Sequence, residues 1–311
     1  MGILRRDGEI TMLTDWQRTA PRQRSLSETW NITKRVLGRA ITYLVVFFIA
    51  LLFMIPFFWT VSSALKHPSE LYVFPPKWLP ATPQWRNWPE VWRQIPFGKY
   101  VLNSFYVTGL AVIGQVVSAT LVAYGFARFR FPGREGLFLL VLGTMILPAQ
   151  VTMIPQFLMF RAVKWLDTYK PLIVPSYFGG GAFFIFLMRQ FLMTIPLDMD
   201  ESARLDGASS LRILINVLLP LCQPALATVA IFSFLGHWNS FLFPMIYLNT
   251  MQKFTLPIGL RYFQLTAETG GDPKEHLLMA ASLMASIPGI ILFFTAQRYF
   301  VQGIVMTGIK G

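Results

Sequence analysis

The sequence predicts an all-α, polytopic membrane protein with six transmembrane helices. Three observations lead there. Six apolar stretches, at about 41–65, 101–126, 137–160, 171–188, 213–248 and 277–296, contain no Asp, Glu, Lys or Arg, and about 20 apolar residues suffice for a helix to cross a bilayer. Charged residues make up 14% of the chain against 54% hydrophobic, where soluble domains carry about a quarter charged. The 27 Lys and Arg residues fall between the stretches and in a basic tail, as they do in membrane proteins.

In chain order, residues 1–40 form the basic tail. The first stretch is too long for a signal-peptide core and has no small-x-small cleavage site after it, so it reads as an uncleaved span. The segment that follows is rich in proline and tryptophan (Pro75-Pro76-Lys77-Trp78, Trp85, Trp88, Trp92). Tryptophan at this height anchors loops at the lipid interface; stacking on a sugar is the alternative. In the fourth stretch, Gly179-Gly180-Gly181 allows close helix approach or a break, which a membrane tolerates only where it is buried or faces water. The fifth stretch is overlong and takes in the end of the preceding loop helix. Residues 41–311 therefore form one six-span domain.

Residues 196–220 are conspicuously polar. Asp198 stands three residues before Glu201, a capping-box spacing. Gly207 follows the short run 199–205, where a left-handed residue can end a helix. Ser209 or Ser210 can cap a second helix, with Leu211, Leu214, Val217 and Leu218 at helical spacing. Pro220 bends that helix into the next span. The pattern describes a rigid knob on the membrane surface, shaped for a socket on another protein.

Orientation follows from the basic residues. The side holding both termini and the knob carries 16 of them, eight in the tail, and the other side 11. Basic segments stay in the cytoplasm, so both ends and the knob are expected there. The net charge of +12 is scattered over short loops and the tail. It fits attraction to anionic lipid better than nucleic-acid binding. The lone Cys222 excludes an internal disulfide and reads as a small buried core residue.

The knob resembles the EAA loop of ATP-binding-cassette importer permeases, whose pattern is Glu-Ala-Ala, three residues, Gly, nine residues, Ile-x-Leu-Pro. Here Glu201-Ser202-Ala203, Gly207 and Val217-x-Leu219-Pro220 keep both intervals, with departures at Ser202 and Val217. Asp206-Gly207-Ala208 is typical of the carbohydrate-importing branch. The likeness continues in Ser62-Ser63-Ala64-Leu65-Lys66, Ala127-Arg-Phe-Arg-Phe-Pro-Gly133, Gly236-x-Trp238-Asn239-x-Phe241, Thr255-Leu-Pro-Ile-Gly259 and the tail Phe300-Val-x-Gly303…Gly308-x-Lys310-Gly311. The chain is thereby identified as resembling the maltose-type, binding-protein-dependent permease family.

That resemblance implies the type I ABC importer permease fold. It also implies a bacterial or archaeal cytoplasmic (inner) membrane, where the chain forms half of a translocation pore for a sugar or oligosaccharide. The implied partners are a second homologous permease subunit, two ATP-binding ATPase subunits and an extracytoplasmic solute-binding protein. The loop would dock on the ATPase, with Gly308, Lys310 and Gly311 of the tail directed toward it. ATP and magnesium would be bound by the ATPase chains and no cofactor by this one.

The absent chemistry agrees. No Gly-x4-Gly-Lys-Ser/Thr phosphate loop occurs, so the chain does not cradle ATP, and no catalytic pair or metal set is expected in the spans. An ion-coupled carrier keeps costly charges in its path; here the one titratable group of note is His237. The spans offer amides, hydroxyls and aromatics instead. Gln115, Tyr124, Trp238 and Asn239 are the candidates for a substrate path, with Asn103, Gln150, Gln156 and Ser240 behind them. Such groups also join membrane helices to each other. The alternatives are a permease of the same fold for a non-sugar solute such as glycerol phosphate, and an ion-coupled secondary carrier.

Overall fold

The computed structural model describes the backbone of residues 26–268 and 274–308. All regular elements among the described residues are helical. They are α1 (Leu26–Ala64), α2 (Asn87–Gln94), α3 (Phe97–Arg128), α4 (Arg134–Gly143), α5 (Ala149–Ala162), α6 (Lys170–Ile173), α7 (Ala182–Thr194) and α8 (Asp198–Leu205). After these come α9 (Ser210–Ile213), α10 (Leu219–Leu221), α11 (Gln223–Trp238), α12 (Leu242–Tyr247), α13 (Leu256–Glu268) and α14 (Glu275–Gly308). Two compact units are distinguished, residues 1–58 and 59–311.

Among the described residues, four helical segments are long and apolar enough to cross a membrane: Lys34–Ala64, Phe97–Arg128, Lys170–Thr194 and Glu275–Gln297. Two bent pairs bring the number to six if each counts as one crossing. The first covers the expected third span and is sharply bent. Arg134–Ile146 and Ala149–Ala162 meet at 97°. Leu147 precedes Pro148 and is extended (φ −77°, ψ 118°), as a residue before proline must be, so the helix ends there. The second pair, Ser210–Leu221 and Gln223–Trp238, is bent by 83° around Cys222. The expected fifth span over 213–248 therefore resolves into an arm, the crossing helix α11 and the short α12.

Within residues 59–311, α3 is the axis. It packs against α7 and α11, while α11 packs on α14 and α14 on α2 and α13. Apolar burial divides into two clusters. One surrounds the Arg128 end of α3, with Ala119, Ala123, Phe138, Met188, Leu192, Ile213, Leu218 and Cys222. The other surrounds the Phe97 end, with Val91, Tyr100, Trp238, Leu256, Phe263 and Leu277. Glycines let the helices approach: a Cβ on Gly114 would come within 2.4 Å of the Tyr177 ring, and one on Gly259 within 2.1 Å of Tyr100.

At the far end, α14 continues through Gly308, well past the expected limit at residue 296. Gly308 is the last described residue of that helix. Lys310 and Gly311 lie outside the described residues, as does most of the basic tail.

Candidate functional site

The knob is built around α8 and held by backbone chemistry. The expected capping box does not form. Asp198 is already the first residue of α8, Leu197 occupies the capping position, and no side chain accepts there. Asp198, Asp200 and Glu201 instead place three carboxylates in the first turn, where the helix dipole favours negative charge. The helix stop is as expected. Gly207 has φ +79°, its amide donates to Arg204 O (3.0 Å), and the Ala208 amide reaches Ala203 O (3.0 Å). These are the two bonds of a Schellman termination. They explain the spacing of the motif, because Ala203 and Ala208 must meet across the turn, and both pack on the same apolar cluster.

Ser209, not Ser210, caps the next helix: its Oγ accepts from the Arg212 amide at 3.4 Å. The arm then departs from the simple 3.6 pattern. Leu214–Leu218 form a π-helical turn. Pro220 has no amide to give to the carbonyl of Asn216 and crowds it, and a π turn around Asn216 relieves that conflict. Ile213, Leu214 and Leu218 are buried, while Leu211, ahead of the π turn, is 57% exposed.

Two groups that the sequence reading did not single out fix the knob to α3. Arg128 Nε lies 2.8 Å from Asp200 Oδ2, with the two side chains 3% and 6% exposed, and its guanidinium also donates to Ile195 O at 3.0 Å. Tyr124, considered above for the substrate path, belongs here instead: its hydroxyl donates to Ser210 O at 3.0 Å. Nearby, Arg189 lies on the Phe138 ring (4.1 Å) and pairs with Glu135 at 3.3 Å. The outer surface of α8 stays open, with Glu201 and Ser202 exposed and Leu205 90% exposed.

The remaining path candidates separate. Gln115 donates to Gly180 O and its Oε1 lies 3.5 Å from His237 Nε2; Ser118 donates to Ser176 O at 2.7 Å. The three glycines 179–181 all have positive φ, so the helix of the fourth span is interrupted there, and α3 satisfies one carbonyl before the break and one within it. Trp238 is buried against Phe234 and Phe105 and donates to Ala285 O at 3.1 Å; its role is to join α11 to α14. Asn239 donates to Leu235 O at 2.9 Å and is exposed, leaving its Oδ1 accessible. Among the described residues no group of three His, Cys, Asp or Glu side chains is placed to hold a metal ion.

Residues 115–306 match the family described as the binding-protein-dependent transport system inner membrane component. The sn-glycerol-3-phosphate transport system permease protein of Yersinia pestis is 30% identical over 261 residues, 82% of this chain and 92% of that protein. An arabinooligosaccharides transport system permease protein of Halalkalibacterium halodurans is 35% identical over 209 residues, 67% of this chain and 73% of the other. Among solved structures, a subunit of a bacterial ABC transporter involved in import of the acidic polysaccharide alginate superposes with a TM-score of 0.73 at 26% identity, covering 86% of this chain and 98% of that one.

Proposed function

The chain belongs to the family of binding-protein-dependent transport system inner membrane components, and from that premise we propose that it is the permease subunit of an ATP-driven importer for a sugar or oligosaccharide. It forms half of the translocation pore, pairs with a second homologous permease, and engages two ATPase subunits through α8. A solute-binding protein delivers the substrate on the opposite side. Both termini and the loop are cytoplasmic, the orientation that the basic tail favours.

The observation that carries this reading is the knob itself. A short helix with a fixed stop, an exposed Leu205 and exposed carboxylates is rigid, accessible and unsatisfied by its own chain. A sugar is supported by the oligosaccharide permease relative and by a polar interior at Gln115, His237, Ser118 and Ser176 without a fixed charge. The glycerol-phosphate permease relative supports the second reading, a phosphorylated solute.

The test is purification of the chain with its genomic partners, followed by measurement of solute-stimulated ATP hydrolysis in lipid. A neutral oligosaccharide carried by the binding protein is expected to stimulate. Stimulation by a phosphorylated polyol alone selects the second reading, and uptake that survives ATP depletion with the ion gradient held sinks both.

A further inference from the structure

Helix α8 has one buried residue among its eight, and that residue is Asp200. A helix that must transmit force is ordinarily attached by apolar side chains. Here the one fully buried attachment, beside a partly buried Ala203, is a carboxylate, placed one residue before the Glu-Ser-Ala triplet whose Glu201 is exposed. Its partner Arg128 sits at the last residue of α3 and spends the other arm of its guanidinium on Ile195 O, the entry to the loop. Tyr124, one turn earlier on α3, holds Ser210 O, the exit of the loop. One helix end thus grips the loop at its entry, its centre and its exit.

We propose that Arg128 and Asp200 are positioning residues that make the coupling helix and α3 move as one body. The proposal rests on the reading of the loop as the ATPase dock. A buried ion pair adds little net stability, because both charges lose their water. What it gives is position: the two opposite charges lie 2.8 Å apart in a dry site, and the other arm of the same guanidinium donates to the Ile195 carbonyl, so one rigid planar group ties α8 and the loop entry to the end of α3. An apolar contact in this place would allow α8 to slide or rotate under load. Because α3 also carries Gln115, bonded to the glycine break of the fourth span, a displacement at α8 arrives at the middle of the pore through one helix.

The experiment uses the complete transporter in nanodiscs. Distances are read between spin labels on Arg130→Cys and Asp198→Cys, both at exposed positions, and hydrolysis is read in the unlabelled complex, because Asp198 lies on the docking helix; Cys222, fully buried, is left in place. With the pair intact, one narrow interlabel distance is expected, the same with and without ATP and vanadate. Asp200→Asn is expected to widen or split that distribution and to lower solute-stimulated hydrolysis per assembled complex at least tenfold, while Asp200→Glu keeps both within twofold. Should Asp200→Asn fail to insert, Arg128→Lys serves, keeping the charge but not the fork, with a smaller widening expected. A parent-like distance in the variant used, or a widened one with parent-like stimulation, overturns the proposal. If the parent chain binds no ATPase while its distances still respond to Asp200→Asn, the docking reading has failed and the attachment stands.

Discussion

The two ends of α3 hold their loops by different means. At the Phe97 end, side chains lock onto backbone. Asp167 (φ +54°) accepts from the amides of Asn249 (3.1 Å) and Thr250 (2.9 Å), from Thr250 Oγ1 (2.6 Å) and from Lys253 Nζ (2.7 Å). Asn103 donates to the carbonyls of Gln252 and Phe254, and Ser104 accepts from the Leu256 amide. These bonds fasten the turn before α13 to α3 and to the loop before α6. At the Arg128 end, Arg128 and Tyr124 hold only the backbone flanking α8, while α8 itself is attached through one buried carboxylate and a packed Ala203 and leaves its other face open. The first arrangement fastens a loop on all sides; the second leaves one helix face open. On the proposed docking reading, the first is where the molecule keeps its shape and the second is a lever that accepts force.

If that contrast is correct, a change in the lever should cost function and spare stability, and the reverse should hold at the rim. Glu201→Lys reverses a charge on the exposed face of α8. Solute-stimulated ATP hydrolysis is expected to fall at least tenfold. Detergent melting should stay within about 0.5 kcal/mol, as for most surface substitutions. Between the two ends, Gly180→Ala puts a methyl 2.4 Å from the Ala119 backbone nitrogen at a φ of +61°. It should cost about 3 kcal/mol or more, by overpacking and by left-handed strain together, seen as loss of folded protein after extraction.

At the rim, Asp167→Ala removes a carboxylate that serves two amides, and about 2 kcal/mol of stability should go with it, while hydrolysis per folded complex stays within twofold. A tenfold drop in hydrolysis would erase the contrast. The smallest effect is the pH dependence. Lys253 and then Thr250 hold the Asp167 carboxyl well below the usual carboxylate range. A carboxyl with a depressed folded pKa contributes stability above its unfolded pKa of about 4, and loses it as pH falls toward the folded value. The melting gap between the parent and Asp167→Asn should therefore be constant from pH 8 to 5 and narrow below about pH 4. A gap that closes between pH 7 and 5 would show that the clamp is not built on this carboxylate.

Much of the lever was legible in the sequence because its constraints are local. Gly207 can stop a helix for reasons that involve only its own φ, and the interval from Ala203 to Ala208 is fixed by one turn. The six apolar stretches were legible by composition alone. The 97° bend was less so, although Leu147-Pro148 signals it, because apolarity reads through a break without changing. The Asp200–Arg128 pair joins residues 72 positions apart, and nothing local distinguishes Asp200 from its neighbours Asp198 and Glu201. Residue type alone places Tyr124, Trp238 and Gln115 among the path candidates; their partners, Ser210 O, Ala285 O and Gly180 O, are far off in sequence and are visible only in the fold.

The division of α8 into one inward carboxylate and an open outer face has a consequence for how such subunits change partners. Asp200, Ala203 and Gly207 answer to this chain alone, while Glu201 and Leu205 answer to whatever sits outside. The outer set can be rewritten without repacking the inner one. On the proposed docking reading, a permease built this way could be transferred to a different motor by recoding a few exposed positions, and a library confined to those positions should yield folded proteins throughout.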